Sequence, residues 1–209
     1  CAALDVTPEQ FGAVGDGVHD DTQALRRAFA ACSAVPDGPC HVLLARHYSS
    51  GPFRFNTSGV TMDVTGVLSM LPRDKYPQTP ADQAAYGSFI STQPGIKDLT
   101  ITGDGLITGL GRQWWPCKYT GCWRPHLIVL SSVTGAKIGP LHMTDGPNHF
   151  IEVRTTTIAC IHSRRRCVHA CIAWPAARQA HLSVLRLSGW VLAGCWSRRT
   201  IVPMCGCEG

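Results

Sequence analysis

Two stretches of the chain, Ile96-Lys-Asp-Leu-Thr-Ile101 and Val133-Thr-Gly-Ala-Lys-Ile138, overlay residue for residue with apolar side chains at the first, fourth and sixth positions. A segment that recurs with its inward residues in the same places can stack on its own copy, each turn of chain burying apolar side chains against the next. Short β-like segments run through the chain, at His41 to Leu44, Val60 to Val64, Ile96 to Ile101, Leu127 to Leu130, Ala136 to Ile138 and Phe150 to Val153, separated by Gly, Pro, Asp and Asn. The coils of a parallel β-helix and the short strands of a β-sandwich both satisfy this pattern, and periodicity alone leaves both open.

The N-terminal quarter reads differently. Phe11-Gly-Ala-Val-Gly-Asp-Gly-Val-His-Asp-Asp-Thr22 is rich in Gly and Asp, as in a segment that turns tightly before a helix. Asp20, Asp21 or Thr22 can cap that helix by accepting bonds from its first free amides. Ala24, Leu25, Ala28, Phe29 and Cys32 then share one face, with Arg26 and Arg27 on the other. Pro36, Asp37, Gly38 and Pro39 end it. An apolar helix at one end of a stack of coils shields the terminal edge from pairing with another chain.

Composition divides the chain near Val153. Residues 1–153 carry 11 Lys and Arg against 13 Asp and Glu, whereas residues 154–209 carry 8 Arg against the single acid Glu208. The second part holds six of the 11 Cys and three of the 6 Trp, but no Lys, Asp, Asn, Phe or Tyr. A basic domain for an anionic partner mixes Lys with Arg and uses Asn and Asp in its turns. The tail fits better as sequence joined on by a change of reading frame or of splicing, and it is expected to be poorly ordered. The body has enough apolar residues for one sizeable core. No run approaches the roughly 20 uninterrupted apolar residues of a membrane-spanning helix, because Leu182 to Trp196 is interrupted by Arg186. The first residue is Cys1 rather than Met, as in a processed product or a fragment.

Three motifs in order carry a family resemblance across most of residues 9–153. Phe11-Gly-Ala-Val-Gly-Asp-Gly with His19-Asp-Asp-Thr-Gln-Ala-Leu25 is similar to the "GA.GDG..DDT.A" segment of the polygalacturonases, pectin-cleaving glycoside hydrolases among the pectate-lyase-like β-helices. Ile101 to Trp115 resembles their "G.G.IDG.G..WW" coil, with Thr108 where Asp is usual. Trp123-Arg-Pro-His-Leu-Ile-Val129, then Ile138-Gly-Pro-Leu and Pro147-Asn-His-Phe-Ile151, resembles the "RP..I" and "SP.W.I" coils. The resemblance implies an all-β fold: a right-handed parallel β-helix with an N-terminal capping α-helix over residues 1–153, truncated and followed by the atypical tail at 154–209.

It also implies a chemistry, hydrolysis of the α-1,4 bond of polygalacturonate with inversion, by one carboxylic acid and one carboxylate base several ångströms apart. The family's "NTD", "GHG" and "RIK" segments do not occur in this chain, and its single Asp-Asp pair, Asp20 and Asp21, stands at the helix cap. No catalytic residue is therefore assigned, and Asp145 is the one Asp in the coil before the break. The expected chain is an inactive fragment of a secreted hydrolase, needing no cofactor and no metal. The alternatives are a non-catalytic carbohydrate-binding or structural β-helix, or a tail that binds nucleic acid or zinc by itself. Its partner by resemblance is pectic polysaccharide, and an open β-helix end is expected to drive self-association.

Two residues are candidates for substrate binding. Arg124 can grip a galacturonate carboxylate through its planar fork, or form a structural salt bridge. Trp115 can stack on a sugar ring; adjacent strand residues point to opposite faces, so only one of Trp114 and Trp115 can serve a given cleft. Cys32 with Cys40, and Cys117 with Cys122, can be disulfides of a secreted protein or free buried thiols. Asn56-Thr-Ser58 is a glycosylation sequon. In the tail, Cys160-Ile-His162, Cys167 to Cys171 and Cys205-Gly-Cys207 lack the paired spacing of a zinc site. Arg164-Arg-Arg166 is too short a run to signal nucleic acid.

Overall fold

The computed structural model describes residues 3–34, 39–154 and 157–161, the last five by their backbone. The strands and helices follow in chain order as β1 (Leu4–Val6), β2 (Asp16–Asp20), α1 (Thr22–Ala31), β3 (Cys40–Leu44), β4 (His47–Ser50), β5 (Phe53–Phe55), β6 (Val60–Val64) and β7 (Val67–Met70). The second half continues with α2 (Pro80–Tyr86), β8 (Ser88–Thr92), β9 (Thr100–Thr102), β10 (Leu106–Thr108), α3 (Cys117–Thr120), β11 (His126–Ser131), β12 (Thr134–Ile138), β13 (His142–Thr144), β14 (Ile151–Arg154) and β15 (Thr157–Ile161).

These strands form three sheets, ordered β1-β3-β6-β9-β12-β15, β13-β10-β7-β4-β2 and β14-β11-β8-β5. Every pairing within them is parallel. The chain visits the sheets in rotation, so each circuit lays one strand on each of three walls: a parallel β-helix. The repeat overlay is also the register, since Lys97 bridges Thr134, Lys137 pairs with Thr100 and Ile138 with Ile101. Val42, Met62, Ile101 and Ile138 consequently stand one above another, all buried. Phe53, Ile90, Ile128 and Ile151 make a second buried column. Burying a Leu, Ile, Phe or Met side chain contributes about 1.5–3 kcal/mol, so these columns supply much of the driving force.

Where the first sheet passes to the second, successive backbones nearly touch. The amide of Gly66 donates to Leu44 O at 2.9 Å, Gly105 to Val64 O at 2.7 Å and Gly139 to Ile101 O at 2.7 Å. A Cβ on Gly66 would lie 2.2 Å from Arg46 O, and one on Gly105 would lie 2.1 Å from Gly66 O. Only glycine lets the coils approach this closely.

Helix α1 takes the place that a third-sheet strand would hold in the first coil. Its face of Ala24, Leu25, Ala28, Phe29 and Cys32 is buried as the periodicity predicts. Phe29 stacks on Phe53 at 5.1 Å and meets Phe55 edge-on at 4.9 Å, covering the edge at β5. The Arg26 guanidinium bonds Pro52 O, and a Cys32–Cys40 disulfide joins the helix end to β3. Of the three cap candidates, Asp20 is the one whose carboxylate accepts a first-turn amide, that of Thr22. Asp21 holds the N-cap position but its carboxylate makes no cap bond; it accepts the amides of Val14 and Gly15, folding the Gly-rich loop back.

Some expectations need correction. The Phe11 to Thr22 stretch turns at Gly12 and Gly15 but also contains strand β2, irregularly paired with β4, which Asp16 bends by accepting the amides of Val18 and His19. Ile96 to Ile101 is not one continuous strand, because Asp98 turns with φ 53° and regular pairing resumes at Thr100. Parallel pairing also runs beyond Val153, through β15 on β12. The helix stop at Pro36 to Gly38 and the tail from residue 162 lie outside the described residues.

Ile101→Ala is expected to cost about 2–5 kcal/mol by leaving a cavity in the column. Gly105→Ala should cost about 1–3 kcal/mol or more, because the new methyl meets backbone that cannot rotate away. Urea denaturation followed by circular dichroism measures both; a Gly105→Ala midpoint equal to the parent's would refute the close approach.

Candidate functional site

The circuits differ in length at one corner. Cys40 to Val60 is a complete turn of twenty residues, and Ile128 to Ile151 one of twenty-three, but Ile90 to Ile128 takes thirty-eight. The extra chain lies between second-sheet and third-sheet strands, at 71–87 and 109–125, with a short turn at 145–150 in the next coil. Three loops therefore stack along one side, and both candidate substrate-binding residues belong to them.

The first two loops are held by aromatic packing. Trp114 is fully buried, with Tyr76 edge-on at 5.5 Å, Trp123 edge-on at 6.1 Å and the Arg73 guanidinium 5.7 Å from the centre of its ring. Gln113 Oε1 accepts the Arg73 amide at 2.8 Å, and a Cys117–Cys122 disulfide closes the second loop. Tyr76 Oη, Trp114 Nε1 and Arg73 Nε have no hydrogen-bond partner among the described residues. Burial holds the Tyr76 phenol well above its ordinary range. Tyr48, at the foot of the second sheet, is raised by burial and then by its 2.6 Å hydrogen bond to the Glu9 carboxylate.

Trp115 and Arg124 come together on the third loop. Trp115 Nε1 donates to Gly146 O at 3.1 Å, and Arg124 Nη1 donates to Pro147 O at 3.1 Å. The two side chains clamp one turn, whose Asp145 O accepts the Gly111 amide at 2.6 Å. Asp145 itself is half-buried, with φ 53°. The structural partner of Arg124 is thus a backbone carbonyl rather than a carboxylate. Trp114 and Trp115 do face differently, one buried and the other 43% exposed, but they end a 3-10 turn rather than lie in a strand. The indole edge of Trp115 is engaged, and much of its ring faces solvent.

Beside this clamp is a group that the sequence reading missed. His126 opens β11, and His149 lies one twenty-three-residue circuit later, the offset that carries Ile128 to Ile151. Their rings stack at 5.0 Å and 17°. His126 Nε2 is 3.1 Å from Glu152 Oε2, and Arg154 Nε donates to Glu152 Oε1 at 2.7 Å. Glu152 is 4% exposed, a buried carboxylate held between basic partners. Only comparison of residues twenty-three apart would have brought the two histidines together.

No protein-family model matches the chain. A probable polygalacturonase of Arabidopsis thaliana is 33% identical over 165 residues, covering 78% of this chain and 34% of the relative. A polygalacturonase of Cryptomeria japonica is 28% identical over 151 residues, covering 66% of the chain and 28% of the relative. The crystal structure of an exopolygalacturonase from Thermotoga maritima superposes with a TM-score of 0.64 at 16% identity, over 76% of this chain and 46% of that one. This chain is a polygalacturonase-like parallel β-helix. It spans about a third of the length of the curated relatives it matches. Among the described residues no helix is long and apolar enough to cross a membrane.

Tyr76→Phe is expected to leave stability unchanged or raise it by about 1 kcal/mol at neutral pH, because it removes a buried hydroxyl without breaking a bond. A phenol whose pKa burial raises on folding lets the fold keep its full stability below the ordinary value near 10, and stability is lost as pH rises past that value because the unfolded chain ionises first. The parent should therefore lose stability above about pH 10, and Tyr76→Phe should lose less. Denaturant titrations at neutral and alkaline pH test this; a neutral-pH loss above about 1 kcal/mol would mean that the hydroxyl has a partner.

Proposed function

We propose that the chain is the N-terminal, substrate-recognising part of a secreted pectin hydrolase and that it binds polygalacturonate without cleaving it. The observation that carries this reading is the similarity over 165 residues to a probable polygalacturonase, in a chain whose sequence contains no "NTD", "GHG" or "RIK" segment. Hydrolysis with inversion needs an acid and a base converging from opposite sides of the scissile bond. The Asp20 and Asp21 carboxylates are instead engaged by the Gly-rich loop and the start of α1.

In this reading the stacked loops form one side of a binding surface. The open face of Trp115 stacks on a sugar ring, and Arg124, anchored through one nitrogen on Pro147 O, turns its remaining donors to a uronate carboxylate. The two disulfides are consistent with an oxidising compartment. Self-association belongs to the same proposal: β13 and β14 each have one strand partner among the described residues, and such edges recruit other chains.

Reducing-end release from polygalacturonate tests the first part, and affinity electrophoresis in polygalacturonate gels the second. The expected result is no turnover but measurable retardation, weakened about fivefold by Trp115→Ala and unchanged by replacing the exposed Tyr119. Turnover abolished by Asp145→Asn would place an active site at the clamped turn and overturn the non-catalytic reading. Absence of retardation would overturn recognition.

A further inference from the structure

We propose that His126, His149 and Glu152 form a binding site for a divalent transition-metal ion, with zinc the best match. The inference is independent of pectin binding and rests on how the last two described third-sheet strands are paired. The parallel register of β11 and β14 sets Ile128 beside Ile151 and Val129 beside Glu152, and brings the two histidines to neighbouring coils at the same offset. Two of the three ligands, His126 and Glu152, stand on paired strands, which fix side chains more firmly than loops do, and His149 lies in the turn that leads into β14.

One ligand atom from each residue lies within 4.8 Å of the other two. Tetrahedral zinc with bonds of about 2.0–2.1 Å sets neighbouring donors about 3.3–3.4 Å apart. His126 Nε2 and Glu152 Oε2, 3.1 Å apart, are already close to that spacing. The His149 donor lies within 4.8 Å of the other two, and its half-buried ring must tilt out of its stack on His126 to complete the set. The carboxylate is ready for the role: Arg154 holds Oε1 and turns Oε2 toward His126, as an outer partner orients a metal ligand.

Two imidazoles and one carboxylate suit zinc and its neighbours, whereas calcium and magnesium prefer an all-oxygen shell. Three protein ligands leave a fourth position for water or an exogenous ligand, as in open zinc sites. A bound ion would join two successive coils beside the Trp115 and Arg124 clamp, and should raise the unfolding temperature.

The tail's cysteines could bind zinc themselves, so the test uses the full chain with its free thiols alkylated and its disulfides intact. Zinc bound after gel filtration is measured by elemental mass spectrometry, and the ligand type by the visible spectrum of the cobalt-substituted protein. We expect one tightly bound ion per chain, a tetrahedral cobalt spectrum without thiolate charge transfer, and a higher melting temperature with zinc. His149→Ala and Glu152→Gln should each weaken binding at least tenfold, while replacing the exposed His142 should not. Circular dichroism establishes that each variant is folded; should Glu152→Gln fail to fold, His149→Ala and His149→Gln decide the matter. No retained zinc, or zinc retained equally by the folded His149 variants, would overturn the site.

Discussion

Everything in this molecule depends on one constraint: each coil must lie in register, and within hydrogen-bonding distance, on the coil before it. Parallel strands cannot be joined by a hairpin, so the chain must travel round the other walls before it returns. The return brings Met62, Ile101 and Ile138 to the same height, and their burial then rewards that register over any other. Close backbone contact at the corner of Gly66 and Gly105 sets the spacing, and α1 with its aromatic pair on Phe53 and Phe55 covers one end.

Close contact at the corner between the first and second sheets leaves the corner between the second and third free to carry the longest loops. Loops of different length can leave the stack there without disturbing the columns, because strands before and after each insertion remain in register. This explains how one side collects most of the unusual chemistry: the Trp114 cluster, the Trp115 and Arg124 clamp and the paired histidines. A loop buried through aromatic rings and an Arg face can tolerate polar atoms without protein partners, at some cost in stability, while keeping its exposed rim fixed in shape.

Legibility in the sequence followed the size of the apolar signal. Helix α1 was readable because Ala24, Leu25, Ala28, Phe29 and Cys32 recur at helical spacing, and the first-sheet strands β3 and β6 because their apolar residues alternate. The second-sheet strands were hidden. His47–Ser50 and Val67–Met70 bury Ser49, Ser50 and Ser69, polar residues of which Ser50 and Ser69 bond nearby carbonyls inside the stack. Trp115 and Arg124 could be chosen as candidates from residue type and motif, but their shared anchoring on the 145–147 turn depends on two loops from different coils. His126, His149 and Glu152 required the twenty-three-residue register itself.

The most direct measurement of the account is the set of through-space nuclear Overhauser contacts between backbone protons of Thr61, Thr100 and Lys137, three residues far apart in the chain. The account requires contacts from Thr61 to Thr100 and from Thr100 to Lys137 in a parallel pattern, because these residues occupy successive rungs of one sheet. An antiparallel pattern, or contacts displaced by a residue, would contradict the stacked-coil architecture and every inference drawn from its register.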